Sequence, residues 1–502
     1  MTDSNAPPIE IGSDKQLFID QRFIESSHGV KLSINPPVKA EPVLVAETPI
    51  EGHRVGGYST VIEADGRYLM YYTAIPNSAG DDNGQMICLA TSDDGIAWKR
   101  ERVGLYEVCG SRENNVVLPG CAGTVFLDPN EHEGSRFWWI GNSSENKWWN
   151  ESKGTISSPT EACLYLMHSR DGICWKRFKE PVLPFGCDTV NQCFWDARLN
   201  KYVAYVRSWH PQRDRAVSRL EVDDLLETPW PHRPRNESEK KPWASALSSE
   251  LPIVMAADDL DPPKTDLYTP CVSSYPWAQE VYLAFPSPYR RYDGLDSYGR
   301  DQRGTPGEHH NNDGPVEIAC AVSRDGVRFD RFRAPYVPLG RIGEVDGGSM
   351  YMSCGMVRRG EEIYQYYGGT PFTHGDYELK RDCYMGVIRR VVQRLDGFVS
   401  ADAQYTGGEI VTPLMRFEGT RLQLNVDCSA LGEVWVELLD ERNFPIEGFT
   451  MDDAVSVDRN GVAQEVWWKQ GPDVSKLSGK PVRLRMRMRA AKLYAFQFVG
   501  DL

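Results

Sequence analysis

The 502-residue sequence predicts an all-β fold: a five-bladed β-propeller over residues 50–402, then a β-sandwich over 403–502. Residues 1–49 are expected as an N-terminal extension packed on the propeller. Three observations predict this. One short phrase recurs at a fixed period. Apolar and aromatic residues fall at strand spacing around each copy. The C-terminal segment alternates apolar and charged residues with a period of two.

The phrase is "SDDGIAWKR" at Ser92, "SRDGICWKRF" at Ser169 and "SRDGVRFDRF" at Ser323. The first two copies stand 77 residues apart and the next two 154, twice that period. A degraded copy is therefore expected between them, at "VSRLEVDDLLETPW" from Val217. Each phrase reads as the turn between the third and fourth strands of a blade. Ser and Asp bond their own backbone, Gly supplies a positive φ, and the aromatic packs between blades. Asp93, Asp171 and Asp325 are expected there as turn residues, not catalysts.

The blades follow in order. "GGYSTVIEADGRYLMYYTA" leads to "GQMICLATSDDGIAW" in the first, and "AGTVFLDPNEHEGSRFWWIG" to "ACLYLMHSRDGICW" in the second. "DTVNQCFWDARLNKYVAYVRS" leads to "RAVSRLEVDD" in the third, and "DLYTPCVSSYPWAQEVYLAFPS" to "VEIACAVSRDGVRF" in the fourth. The fifth is "GGSMYMSCGMVRRGEEIYQYYGG" with "DCYMGVIRRVVQRLDGF". Four strands per repeat, set radially, make a propeller. Before it, "KQLFIDQRFIESSHGVKLSINPP" reads as a hairpin on the outside of the ring or closing it, ended by Pro36 and Pro37. After it, Val482, Leu484, Met486 and Met488 are expected on one side of a strand. Arg483, Arg485, Arg487 and Arg489 then form a solvated face.

Composition agrees: 14 Trp, 23 Tyr, 44 Gly and 33 Pro favour short strands joined by turns. A net charge of −15 argues against nucleic acid and anionic membrane as partners. No apolar run approaches the ~18 residues of a membrane span. The start shows no basic and apolar leader, and the 12 Cys are scattered without a CxxC pair, so a cytoplasmic protein with reduced thiols is expected. No cofactor is expected, and the oligomeric state is not set by the sequence.

The phrases "LFIDQRFIES" and "GFTMDDAVSVDRNGVAQEVWWKQGPDVSKLSGKPVRLRMRM", in this layout, resemble the five-bladed glycoside hydrolase clan of families 32, 43, 62, 68 and 130. The layout is most similar to family 32-like bacterial proteins. The resemblance implies a glycosidase acting on an oligo- or polysaccharide. It does not carry over the three family 32 catalytic residues. The first blade offers "GGYSTV" without Asp, the second "FLDPN" with Asp128 in a turn, and the third no Glu-Cys.

Candidate residues are therefore read from the starts of the first strands, which converge on the funnel of a propeller. Glycoside cleavage usually needs two carboxyl groups there. The first blade gives Glu51, His53 and Tyr58, and the second Asn114 and Asn115. The third gives Asp188 and Asn191, the fourth Asp266 and Tyr268, and the fifth Glu344 and Asp346. Glu344 is expected as general acid, Asp188 as base or nucleophile and Asp266 as an orienting acid, with Asp346 behind them. Any one of these also suits a turn amide. Tyr58, Asn191, Arg207, Tyr268, Arg290 and His374 are expected to bind substrate. Trp209, Trp277, Tyr289 and Tyr292 are further stacking candidates. Arg207, His210, Arg290 and Arg291 can meet a carboxylate or sulfate on an acidic sugar. The polar stretch Gly294 to Gly314 is expected as a loop over the funnel. Its His309, His310 and Asp313 have metal-ligand chemistry, but adjacent histidines in a polar loop are usually solvated, so no metal is expected.

The expected function is a glycoside hydrolase using funnel carboxylates. A family 130-like phosphorylase and a non-catalytic glycan-binding propeller are the alternatives.

Overall fold

The computed structural model describes residues 7–52, 54–76, 85–120, 122–143, 149–150, 155–156, 163–210, 215–233, 250–292, 313–375 and 386–500. The chain is all-β: among the described residues, strands are interrupted by turns and short 3-10 segments alone. None of these helical segments is long and apolar enough to cross a membrane.

Five antiparallel sheets carry the five repeats. The first holds Arg54–Ala64, Arg67–Ile75 and Met86–Ser92, with Lys99–Arg100 and Val116–Pro119 both on the last of these. The second runs Ala122–Leu127, Phe137–Ser143, Cys163–Ser169, Lys176–Arg177. The third runs Gln192–Asp196, Lys201–Trp209, Arg215–Val222, Ile253–Met255. The fourth runs Val272–Ser274, Tyr282–Ala284, Ile318–Ser323, Asp330–Val337. The fifth runs Ser349–Met352, Glu362–Thr370, Val387–Arg394, and ends on Val38–Val45 from near the other end of the chain.

The first strands, or the residues flanking them, bond to one another in a closed cycle. Val125 N–H donates to Thr60 Oγ1 at 3.2 Å, and the Thr124 hydroxyl to the Asn191 carbonyl. Val272 N–H donates to Gln192 Oε1 at 2.7 Å, and the Cys271 thiol to the Ser353 carbonyl at 3.3 Å. Cys354 N–H then returns to the Ser59 carbonyl at 2.8 Å.

The recurring phrase is the turn between third and fourth strands. In each copy the Gly amide donates to Ser Oγ: Gly95 to Ser92, Gly172 to Ser169 and Gly326 to Ser323, at 2.9–3.0 Å. The Asp then accepts two following amides, as Asp171 does from Ile173 and Cys174, both at 2.8 Å. In the first copy that Asp is Asp94, not Asp93. Hydrogen bonds from the Ile96 and Ala97 amides hold the Asp94 carboxyl below its ordinary pKa. Asp93 instead pairs with Arg67 at 3.0 Å.

The glycines have a second role. Their φ values are +72° to +74°, and a tyrosine hydroxyl from the neighbouring sheet bonds each carbonyl. Tyr71 reaches Gly172 at 3.0 Å, Tyr205 reaches Gly326 at 2.7 Å and Tyr366 reaches Gly95 at 2.6 Å. The turn thus packs between sheets through a tyrosine from next door.

The rest includes three two-stranded ribbons, among them Thr265–Leu267 with Pro288–Arg290, and two six-stranded sheets. One holds Ile9–Gly12, Met415–Phe417, Pro481–Arg489, Gly408–Val411 and Ser26–His28, with Glu433–Leu439 also on Pro481–Arg489. The other holds Gly461–Glu465, Arg421–Asp427, Ala491–Val499, Val399–Ala403 and Val30–Ile34, with Gln16–Leu17 also on Ala491–Val499. They share one apolar core that includes Phe23, Phe417, Leu424, Met486, Met488, Phe496 and Phe498. The arginine row points away from it. Arg485 and Arg489 lie directly opposite Glu437 and Glu433 and pair with them at 2.7 and 2.5 Å, so the face is charge-paired as well as solvated.

The expected N-terminal hairpin is corrected. Ser26–His28 pairs with Gly408–Val411, and Val30–Ile34 with Val399–Ala403. Beyond Pro36 and Pro37, Val38–Val45 pairs with Val387–Arg394. Proline lacks the amide that would continue a ladder, so the chain leaves one sheet there and joins another.

Candidate active site

At one end of the ring, side chains from the first, third and fifth sheets meet those of the two-stranded ribbon of Thr265–Leu267 and Pro288–Arg290. Tyr268 is at the centre. Its hydroxyl lies 3.2 Å from that of Tyr58, and its ring stands 5.8 Å from Tyr351, 6.0 Å from Tyr289 and 4.9 Å from His374. The Arg207 and Arg215 guanidiniums sit 4.6 and 5.2 Å from the same ring, and Trp209 lies 5.1 Å from Arg215. Cations on aromatic faces are attracted by the ring quadrupole, the more so when desolvated.

The backbone explains how Tyr58 gets there. The pairing of Arg54–Ala64 with Arg67–Ile75 skips between Val55 and Ser59, across Gly56 and Gly57 with φ of +77° and +108°. A Cβ on Gly57 would lie 3.1 Å from Arg54 Nη2, so glycine lets the guanidinium fold back along the strand. The same irregularity aims Tyr58 inward, while Arg54 lies 5.4 Å from the Tyr351 ring.

Two carboxylates answer the arginines. Asp188, 55% exposed, accepts from Arg207 Nη1 at 3.2 Å. Asp266 is sealed: Arg215 Nη1 donates to it at 2.5 Å and the Arg215 amide at 3.3 Å. Arg291 lies 3.9 Å from Asp266. Burial pushes the Asp266 carboxyl above its ordinary pKa, with Arg215 and Arg207 pulling against it. Burial also opposes the charge of Arg215, but Asp266 and its neighbours outweigh that and raise its pKa.

His374 Nδ1 and the Tyr351 hydroxyl are 2.9 Å apart. Burial drives the imidazole well below its ordinary pKa, and Arg215, Arg54 and Arg207 add to this, so it is neutral at pH 7. Asp313 lies at the same end, its Oδ1 accepting from the Gly314 and Gly375 amides at 2.7 and 2.8 Å. The floor is therefore buried, aromatic and cationic, while Arg54, Tyr58, Asp188 and Arg291 on the rim keep exposed surface.

Of the expected residues, Asp188, Asp266, Tyr58, Arg207, Tyr268 and His374 meet here, with Trp209 and Tyr289. Four others are occupied in ways the sequence did not reveal. Glu344 lies in an exposed turn, where its carboxylate accepts the Arg341 amide at 2.9 Å. Asp346 is buried against Lys39 at 2.8 Å and Tyr367 at 2.5 Å, with Arg389 at 3.5 Å. Asn191 lies beneath the site, but its amide donates to the Cys187 and Thr189 carbonyls and accepts the Arg207 amide. Arg290 pairs with Glu317 at 2.5 Å.

The remaining candidates are structural or out of view. Glu51 is buried, bonded to Tyr72 at 2.8 Å and Arg100 at 2.9 Å. Asn114 donates to the Tyr106 carbonyl, and Asn115 to the Leu89 carbonyl and the Tyr72 hydroxyl. Trp277 packs on Tyr275 at 5.1 Å. His53, His309, His310 and most of the Gly294–Gly314 stretch lie outside the described residues. No metal-ligand cluster occurs among the described residues.

Arg54, Arg215 and Tyr351 were not singled out from the sequence. The signal was positional: Arg54 opens the first strand of its sheet and Arg215 the third strand of its own, at the end where Asp188 also lies.

No family model and no curated protein matches the sequence. Solved structures do. A glycosyl hydrolase from Bacteroides ovatus is 14% identical with a TM-score of 0.44, covering 72% of this chain and 94% of its own. A structure from work on the GH130 family of mannoside phosphorylases is 14% identical with a TM-score of 0.43, at 72% and 94% coverage. A GH32 β-fructofuranosidase from Bombyx mori is 10% identical with a TM-score of 0.40, at 93% and 96% coverage.

Proposed function

We propose that the chain is a carbohydrate-active enzyme that cleaves glycosidic bonds at this site, carried on a five-bladed propeller over 50–402 with a β-sandwich over 403–502. The closed cycle of bonds between successive sheets supports the first part of that layout. The single core shared by two six-stranded sheets supports the second.

The observation that carries the functional reading is Asp188. It is a solvent-facing carboxylate held at 3.2 Å by the buried Arg207, above a floor of tyrosines. Tyrosine offers a sugar both an apolar face and a hydroxyl, and a positioned carboxylate can serve as base or nucleophile. Asp266 has no exposed surface, so it acts as a positioning residue through Arg215.

One open carboxylate among several guanidiniums also favours a second reading, a phosphorylase. There phosphate occupies the cations and attacks a bond protonated by a single acid. Chromatography of neutral, uronic and sulfated oligosaccharides after incubation, with and without phosphate, separates the two. New products without phosphate support hydrolysis, and products only with phosphate support phosphorolysis. Tight sugar binding without any product would contradict both and leave a glycan-binding protein.

A further inference from the structure

Glycoside cleavage uses two groups: one attacks or activates water, and the other protonates the departing oxygen. Asp188 fills one of these roles. Of Asp188, Asp266 and Asp313, the described carboxylates at the cluster, only Asp188 has an exposed face. Asp266 is buried against Arg215, and Asp313 is turned to two backbone amides.

The other acidic protons of the cluster are on its tyrosines. Tyr268 is 6% exposed, Tyr351 2% and Tyr289 0%, whereas Tyr58 keeps exposed surface. Tyr58 is held from three sides. The Thr73 hydroxyl donates to its carbonyl at 2.8 Å, its ring stands edge-on to Tyr351 at 6.0 Å, and its hydroxyl meets that of Tyr268 at 3.2 Å. A phenol held in this way can donate its proton to a reacting group. The phenolate left behind also has support. The Tyr268 hydroxyl is a rotor that can turn its proton to the Tyr58 oxygen. Arg207, which bonds the Tyr268 carbonyl and Asp188, is near enough to both phenols to feel their charge. Groups fixed where charge develops stabilise a transition state without having to reorganise.

From this arrangement we infer that Tyr58 is the general acid of the cleavage, with Asp188 as its partner and Tyr268 as the positioning residue of its hydroxyl. The inference rests on the site cleaving glycosidic bonds. Tyr58 gives its proton to the glycosidic oxygen as the bond from that oxygen to the anomeric carbon breaks, and the bonding pair stays on the oxygen. With Asp188 as base, a water loses a proton to Asp188 and its oxygen bonds to the anomeric carbon. The proton on Asp188 then returns through solvent to the Tyr58 phenolate, so the sum is glycoside plus water.

The test compares substrates of one sugar that differ in leaving group, using the whole chain. The probes are 2,4-dinitrophenyl glycosides, whose aglycone departs without a proton, and oligosaccharides of the same sugar, whose leaving alcohol needs one. Tyr58→Phe keeps the ring against Tyr351 and removes the hydroxyl. It should lower kcat/KM on the oligosaccharide by about 10²-fold or more and on the dinitrophenyl glycoside by only a few-fold. Tyr268→Phe should show the same selectivity at smaller size, and it carries the test alone if Tyr58→Phe does not fold. An equal loss on both substrates overturns the inference and makes Tyr58 a binding or packing residue. No loss on either overturns it too, because the proton then comes from another group. Both results leave the functional reading standing. No turnover of any oligosaccharide or dinitrophenyl glycoside by the wild-type protein removes that reading and the inference with it.

Discussion

Arg215 and Asp266 meet at 2.5 Å with almost no exposed surface between them. Burial costs the carboxylate enough to raise its pKa even with the guanidinium in contact, so the pair serves position more than stability. Removing one partner is a different matter. Asp266→Ala leaves Arg215 buried without its main counter-charge, and about 3 kcal/mol of stability should be lost in urea titration. Because the folded pKa of Asp266 is raised, its contribution is greatest below the ordinary carboxylate pKa and falls as pH rises through the raised value. Asp266→Ala should therefore flatten the dependence of stability on pH just above the ordinary carboxylate range.

His374 has the opposite sign. Its folded pKa is depressed, so its contribution is present above the unfolded value of about 6.5 and is lost as pH falls below it. Wild-type stability should fall by up to about 1.4 kcal/mol per pH unit on acidification from pH 6.5, over the part due to this residue. His374→Gln should remove that part. Urea midpoints at pH 7.0 and 5.5 for the two proteins check it, and equal slopes would place the titration elsewhere.

The repeats were legible in the sequence because each turn carries its own hydrogen bonds: Ser169 and Asp171 satisfy the amides of Gly172, Ile173 and Cys174 within six residues. The arginine row was legible because strand periodicity is local. What long-range pairing decides was not. Asp346 has the same sequence setting as a funnel acid, but Lys39 reaches it from 307 residues away, on a strand whose place in the fifth sheet no local pattern announces. Likewise "SSHGVKLSI" has hairpin chemistry around Gly29, yet its two arms join different sheets of the C-terminal part. Asp188, Asp266 and Tyr268 come together around Arg207 and Arg215 because position in the repeat encodes position around the ring. Arg54 and Arg215 lie at that same end but were passed over for acids.

Asp346 gives a prediction that separates structure from chemistry. Its pKa is lowered: burial opposes the charge, and Lys39 and Tyr367 outweigh burial. Its contribution is present above the ordinary carboxylate pKa and lost as pH falls through the depressed one. Asp346→Asn should cost about 2–3 kcal/mol in urea titration at pH 7 and leave kcat within a few-fold. A collapse of kcat with intact stability would return Asp346 to the catalytic set.

The bonds between sheets make a fourth structural prediction. A Cβ on Gly172 would lie 2.3 Å from the Tyr71 hydroxyl, at a φ of +73°. Gly172→Ala should destabilise by about 2 kcal/mol or more, from backbone strain and the displaced hydroxyl together. Tyr71→Phe should cost about 1 kcal/mol through the lost bond to the Gly172 carbonyl. A double-mutant cycle reads their coupling, and strictly additive losses would mean that the turn and the tyrosine are independent.

The central claim is that Asp188 is the working carboxylate, and one substitution tests it most directly. Asp188→Asn keeps the shape of the side chain and, being largely exposed, should fold as wild type. On a substrate that the wild-type protein turns over, kcat should fall by about 10²–10⁴-fold while the dissociation constant changes only a few-fold. Wild-type turnover by Asp188→Asn would contradict the account and move the chemistry to another group at this end of the ring.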